Sequence, residues 1–220
     1  MFSNEKSLKI VAIGAHPDDI ELACGGTLAY AKENGHEVHM VIITGESSKD
    51  HNDNYIRTDD EAKSEQIEAA KVLGVDNLYI LGFEDMSVPY SKELISKLDK
   101  LMNDISPDIV FTHFVFDTHQ DHIRTAQSTL SAARKQNTVL LYEPINPSGR
   151  GYIPFRAQVY FDITTTIEKK LESLKAHKSQ YLKYGDDWIN SIKARAKFRG
   201  FEISSEYAEC FELVRMEVKL

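Results

Sequence analysis

Apolar runs of strand length alternate with helical stretches along the first two thirds of the chain. Residues 8–14, apolar except for Lys9, have the pattern of a strand buried on both faces. A polar turn, His16-Pro17-Asp18-Asp19, leads to a helical segment from about residue 24 to 34, where Gly35 is a natural stop. Residues 39–44 read as a second strand, and the polar stretch 45–58 as a long loop, because it has neither clean periodicity nor apolar residues to pack. Thr58 followed by Asp59, Asp60 and Glu61 is a helix start; Ile67, Ala70 and Leu73 then recur at helical spacing until Gly74. Strands at 78–81, 108–112 and 139–142 alternate with helices at 91–103 and 123–135.

This alternation predicts an α/β fold: a Rossmann-like, mostly parallel sheet with helices on both faces. In such sheets ligands bind outside the carboxyl ends of the strands. The regular winding ends at the turn-rich segment Asn146-Pro147-Ser148-Gly149-Arg150-Gly151. Beyond it a strand at 159–163, a lysine-rich helix from 166 to about 184 and a terminal strand at 210–218 read as a carboxyl-terminal extension. At about 150 residues per domain, 220 residues make one domain, 1–220, with a core at 1–145 and an extension at 146–220 that completes the active-site wall.

A hydrophobic content of 42% fills one core of this size, and a net charge of −8 is the wrong sign for nucleic acid or an anionic membrane. No apolar run approaches the roughly 18 residues that cross a bilayer. Residues 8–15 lack the basic flank of a signal peptide. Cys24 and Cys210 lie far apart without a CxxC partner, which points to a reduced, cytoplasmic protein and to small buried thiols.

Two segments concentrate metal-binding chemistry. Ala15-His16-Pro17-Asp18-Asp19-Ile20-Glu21 follows the first strand, and Asp117-Thr118-His119-Gln120-Asp121-His122 follows the fourth. Each alone is explained by helix capping and solvated histidines. Together, at carboxyl ends of different strands of one sheet, they point to a shared metal site.

Both segments carry a resemblance. The chain resembles the LmbE/PIG-L family of zinc-dependent N-acetylglucosaminyl deacetylases, whose signatures Ala-His-Pro-Asp-Asp-x-Glu and His-x-Asp-His match residues 15–21 and 119–122. Gly25-Gly26-Thr27, Leu73-Gly74-Val75, His177-Lys178-Ser179-Gln180 and Tyr207-Ala208-Glu209 echo it over nearly the whole length. The resemblance implies one Zn2+ or another divalent ion on His16, Asp19 and His122, and Asp18 as general base. It further implies an oxyanion stabilised by protonated His119, which Asp121 holds charged and oriented. The substrate implied is a small N-acetylated amino sugar or its conjugate. The family often has an arginine three residues before the glutamate matching Glu65, where this chain has Ala62; Arg57 is the candidate to replace it, and Glu21 a candidate support for a ligand histidine or the substrate.

Other polar residues have weaker claims. His177 and His113 read as structural, and His36, His39 and His51 have no partner. Tyr142, Glu143, Asn146 and Arg150 follow the fifth strand at the edge where substrate would lie. Trp188, Tyr181 and Tyr184 offer a sugar-stacking wall or a surface for a homo-oligomer. Two other readings compete. Asp117-x-His119-x-Asp121-His122 approximates the metal motif of binuclear metallo-β-lactamase-like hydrolases, which predicts two metals and a mostly antiparallel sandwich. A non-catalytic sugar- or nucleotide-binding module would use Gly25-Gly26 as a phosphate loop, although neither usual glycine signature is present.

Overall fold

The structure is a computed structural model, described here for residues 7–45, 48–49, 55–145 and 147–217. His51, Asn146 and Val218 lie outside the described residues. In chain order the elements are β1 (Lys9–Gly14), α1 (Asp19–Glu33), β2 (Glu37–Thr44), β3 (Ser48–Lys49), β4 (Tyr55–Arg57), α2 (Asp59–Leu73), β5 (Asn77–Phe83) and α3 (Lys92–Ile105). They continue with β6 (Ile109–Thr112), α4 (Gln120–Ala132), β7 (Thr138–Tyr142), β8 (Val159–Asp162), α5 (Ile167–Ala176), α6 (Lys178–Glu202) and β9 (Ala208–Arg215).

Seven strands form one sheet in the order β5-β2-β1-β6-β7-β9-β8. The first five are parallel, and β9 runs antiparallel to both β7 and β8. This is the mostly parallel α/β architecture the alternation predicts. Successive side chains of a strand point to opposite faces, so Ile10, Ala12, Val38, Met40 and Phe111 pack under α1 and α2. Val11, Ile13, Val41 and Val110 pack against Leu94, Leu98 and Met102 of α3 on the other face. The strand order reverses between β1 and β6, the crevice where open α/β sheets place their ligands.

Several elements differ from expectation. Helix α1 starts at Asp19, inside the first motif, and the expected segment is its second half; Cys24, at φ −141°, marks the kink between the halves. Glu209 of β9 caps the second half, accepting from the Gly26 amide (3.0 Å), the Thr27 amide (2.7 Å) and Thr27 Oγ1 (2.5 Å). Lys170 of α5 completes the knot with Glu209 at 2.5 Å and the Leu22 carbonyl at 2.6 Å. A Cβ on Gly26 would come within 2.7 Å of Ile163, so glycine here admits the carboxyl-terminal segment. With those amides taken by a carboxylate, Gly25-Gly26 is not a phosphate loop.

The polar stretch 45–58 carries a short antiparallel hairpin, β3–β4. Helix α2 begins as expected, with a capping box between Thr58 and Glu61. The lysine-rich helix is two helices meeting at His177, and the second runs to Glu202 across a break at Gly185, whose φ of 65° the glycine tolerates. Apolar residues of α5 and α6, among them Leu171, Leu174, Ile189 and Ile192, form a third cluster. Among the described residues no helix is long and apolar enough to cross a membrane.

Candidate metal centre

The two motifs meet at the carboxyl ends of β1 and β6. Both close on themselves: the Asp19 carboxylate accepts the His16 amide at 2.7 Å, and Asp117 accepts the His119 amide at 2.9 Å. The Thr44 amide and hydroxyl both donate to the Ala15 carbonyl at 2.9 Å, fastening the first motif to the end of β2. Between them, Asp18 adopts φ 98°, in the left-handed region that favours glycine. Such a conformation costs about 1–3 kcal/mol and persists only where its surroundings enforce it.

Asp19 lies at the middle of the cluster. Its Oδ2 is 3.3 Å from His16 Nδ1 and 3.2 Å from His113 Nε2, and its Oδ1 is 3.4 Å from His122 Nε2. The other nitrogens of two histidines face carboxylates: His16 Nε2 is 3.1 Å from both Asp85 and Asp121, and His122 Nδ1 is 3.1 Å from Asp117. Three groups are close enough to share an ion: His16, His119 and His122; Asp19, His113 and His122; and His16, Asp85 and Asp121.

Hydrogen bonds assign the protons on the remaining imidazoles. The Ala15 amide donates to His113 Nε2 at 2.9 Å, so the lone pair facing Asp19 is occupied and the proton sits on Nδ1. The Asp121 amide donates to His119 Nδ1 at 3.3 Å, which leaves the proton on Nε2. The backbone of Asp121, not its carboxylate, therefore orients His119. That carboxylate is turned away, accepting the Met86 amide at 2.7 Å and the Val88 amide at 3.1 Å, and facing His16.

The electrostatics divide the groups. Burial opposes charge on His16, but the carboxylates of Asp121, Asp19 and Asp85 outweigh it and hold the imidazole well above its usual range. His122 is likewise raised to about 9 against burial, by Asp19 and Asp117. Burial, then the charge of His122, pushes His113 down to about 4. Burial, then the charges of His122 and His16, lowers His119, while Asp121 and Asp19 oppose that shift. Burial and the adjacent Asp19 raise Asp18 to about 7, while His122 and His113 overcome burial to hold Asp19 well below the carboxylate range.

A second polar cluster lies beside Asp18. Glu21, expected to support a ligand histidine or the substrate, is fully buried; it accepts Gln66 Nε2 at 2.7 Å and stands 3.4 Å from His177 Nε2. Arg57 is not a solvated loop residue: it is 4% exposed, on β4, with Nη1 3.4 Å from Glu65. Ser179 donates to the same Glu65 from its amide (2.7 Å) and hydroxyl (2.8 Å). Tyr142 is buried in the core against Phe111 and His113, and Glu143 is paired with Arg199 and Arg195. Arg150 is exposed, Tyr184 and Trp188 are in ring contact, His36 accepts the Leu8 amide and His39 faces Glu37.

Asp85 and His113 were not assigned from sequence, although each follows a strand at the edge where ligands gather. That position was the available signal.

The chain is 34% identical over 184 residues to the Escherichia coli (strain K12) protein YaiS, described as an uncharacterized deacetylase, covering 80% of this chain and 94% of that one. The structure superposes on N,N'-diacetylchitobiose deacetylase from Pyrococcus horikoshii with a TM-score of 0.79 at 25% identity, covering 95% and 84% of the two chains. It also superposes on GalB, a 4-carboxy-2-hydroxymuconate hydratase from Pseudomonas putida KT2440, with a TM-score of 0.81 at 19% identity, covering 97% and 98%. The fold alone thus does not decide the reaction. Residues 11–133, which contain both motifs, match the family described as GlcNAc-PI de-N-acetylase, and the chain belongs to this PIG-L family.

Proposed function

We propose that the protein is a zinc-dependent N-deacetylase that removes the acetyl group from an N-acetylglucosamine-type amino sugar or its conjugate. The observation that carries this reading is the pattern of ring nitrogens. His16 Nδ1, His113 Nε2 and His122 Nε2 all face Asp19, but His113 Nε2 accepts the Ala15 amide, as His119 Nδ1 accepts the Asp121 amide, which leaves His16 Nδ1 and His122 Nε2 for an ion. We assign those two nitrogens and Asp19 as the ligand set; of the groups close enough to share an ion, one joins His16 to His122 and another joins Asp19 to His122. Asp85 and Asp121 behind His16, and Asp117 behind His122, fix the rings and raise their basicity.

Two imidazoles and a carboxylate suit zinc. The cluster fits a cation for a further reason: its carboxylates favour positive charge there, raising both His16 and His122. A zinc ion there supplies Lewis acidity and lowers the pKa of a bound water toward about 7.

Asp18 takes the proton of the attacking water and returns it to the departing amine. Its carboxyl, raised to about 7, exchanges protons in both directions near neutrality. His119 keeps its proton on Nε2 and donates it to the oxyanion that develops on the amide carbonyl. Arg57, with its Nε unpartnered, contacts a substrate hydroxyl or phosphate in place of the arginine that Ala62 replaces. Glu21 acts beside it by holding His177 and Gln66. The family and the diacetylchitobiose deacetylase relative support an amino sugar as substrate. Two buried free cysteines support the cytoplasm as the compartment. The mostly parallel sheet speaks against the metallo-β-lactamase-like sandwich and its pair of metals.

The test combines metal analysis with acetate release from a panel of N-acetylated amino sugars. One zinc per chain and acetate from N-acetylglucosamine-type substrates are expected. Asp18→Asn, whose side chain also tolerates the left-handed backbone, should keep the zinc and lose about 10³-fold in turnover. Full activity in that variant, or no acetate from the zinc-loaded protein, overturns the assignment.

A further inference from the structure

Among the described residues, two small cavities adjoin one another, and the first reaches the candidate metal centre. The first, about 30 Å³, is lined by the polar Asp19, His113, Asp117 and His122 and by the apolar Leu22, Ala23, Phe114 and Ile145. The second, about 20 Å³, lies against Ile192 and Ala196 of α6 and Ala208 and Cys210 of β9. Leu22, Ala23, Glu143 and Ile145 border both, so these four side chains form a partition between them.

The partition is held from behind. Glu143 accepts Arg199 Nη2 at 2.5 Å and Nε at 3.2 Å and pairs with Arg195 at 3.3 Å, while Arg195 also donates to the Pro144 carbonyl at 3.1 Å. Leu22 and Ile145 pack onto the apolar cluster of α5 and α6. The carboxyl-terminal helices thus fix the inner wall of a chamber that begins at the ligand residues.

We infer that the first cavity receives the alkyl end of the substrate's acyl group, and that the partition of Leu22, Ala23, Glu143 and Ile145 limits the acyl length the enzyme accepts. This inference rests on the deacetylase reading above. Attack requires the amide carbon to sit at the ligand atoms. Its nitrogen carries the sugar, which is too large and polar for the interior and must face the mouth. The alkyl substituent, on the other side of the carbonyl, then points inward, where Leu22, Ala23 and Ile145 line the wall beside the arginine-paired Glu143. The chamber has room for about one or two water molecules, which suits a methyl group, admits an ethyl group tightly and stops a propyl group at the partition.

The experiment compares kcat/KM for N-acetyl-, N-propionyl- and N-butyrylglucosamine on the zinc-loaded enzyme. One methylene too many in such a pocket costs about 10- to 200-fold, so the wild type should prefer acetyl over butyryl by at least about 100-fold. Leu22→Ala and Ile145→Ala, which open the partition from different sides, should each reduce that preference about tenfold or more. Ala23→Val, which narrows the chamber, should raise the acetyl preference over propionyl. A wild type that hydrolyses butyryl as fast as acetyl overturns the inference. So does an unchanged acyl preference in both enlarging variants, when zinc content and acetyl turnover persist. Failure of the wild type to release any acyl group falls instead on the deacetylase reading, and takes the inference with it.

Discussion

Two buried charged clusters flank α1, and they are built on opposite principles. In the knot of Lys170 and Glu209 one cation meets one anion, and both carboxylate oxygens are used by Lys170, the Gly26 and Thr27 amides and the Thr27 hydroxyl. At the metal centre Asp18, Asp19, Asp85, Asp117 and Asp121 crowd four imidazoles, and the proton affinities are driven apart, with His122 up to about 9, His113 down to about 4 and Asp18 up to about 7. A cluster that only ties elements together balances its charge internally. One that performs chemistry keeps surplus negative charge for an ion and groups that exchange protons near neutrality.

The contrast can be broken by substitution. Lys170→Met strands a buried carboxylate and should cost about 3–5 kcal/mol, read from urea melts of the metal-free protein. Adding Glu209→Leu should restore much of that loss; a single variant within about 1 kcal/mol of wild type would show that the balance does not matter. At the other cluster Asp117→Asn removes the carboxylate behind His122 Nδ1. Zinc affinity should fall about 10- to 100-fold in a chelator competition while the melt changes little. Unaltered affinity would remove Asp117 from the ligand support.

The smallest effect sharpens the same contrast. His122 is raised from its ordinary value to about 9, so in the metal-free protein its stabilising contribution is complete below about pH 6.5 and is lost as pH rises through about 9. His16 is raised in the same sense. Zinc needs both rings neutral, so binding at pH 7 should expel protons, and fewer as pH rises through about 9. Calorimetry in buffers of different ionisation enthalpy measures this; no release at pH 7 would mean that the carboxylates do not charge the empty site.

Strands β1, β2, β6 and β7 were legible because both their faces are buried and their sequences are continuous apolar runs. Helix α2 was legible through its cap. The start of α1 was hidden because its first turn is the polar first motif itself, whose Asp19 faces histidines rather than solvent. The second part of α6 was missed although Ile189, Ile192 and Ala196 recur at helical spacing, because exposed Phe198 and Phe201 blur the stripe. His16, Asp19, His119 and His122 announce themselves by local spacing. Asp85 and His113 reach the cluster only because β5 and β6 end at the same edge, a relation that topology creates. Asp121 was assigned to the wrong neighbour for a similar reason: its sequence neighbour is His119, but its carboxylate projects across to His16.

The position of β9 bears on how the chain emerges from a ribosome. Among the described strands it is the last to be made, yet it lies between β7 and β8, so β8 has no place in the sheet until Ala208–Arg215 has been threaded into the gap. Until then the nascent chain exposes the open edge of β7, a template for pairing with any other extended polypeptide. Translation arrested before residue 208 would leave a product prone to aggregate, with its helices already wound.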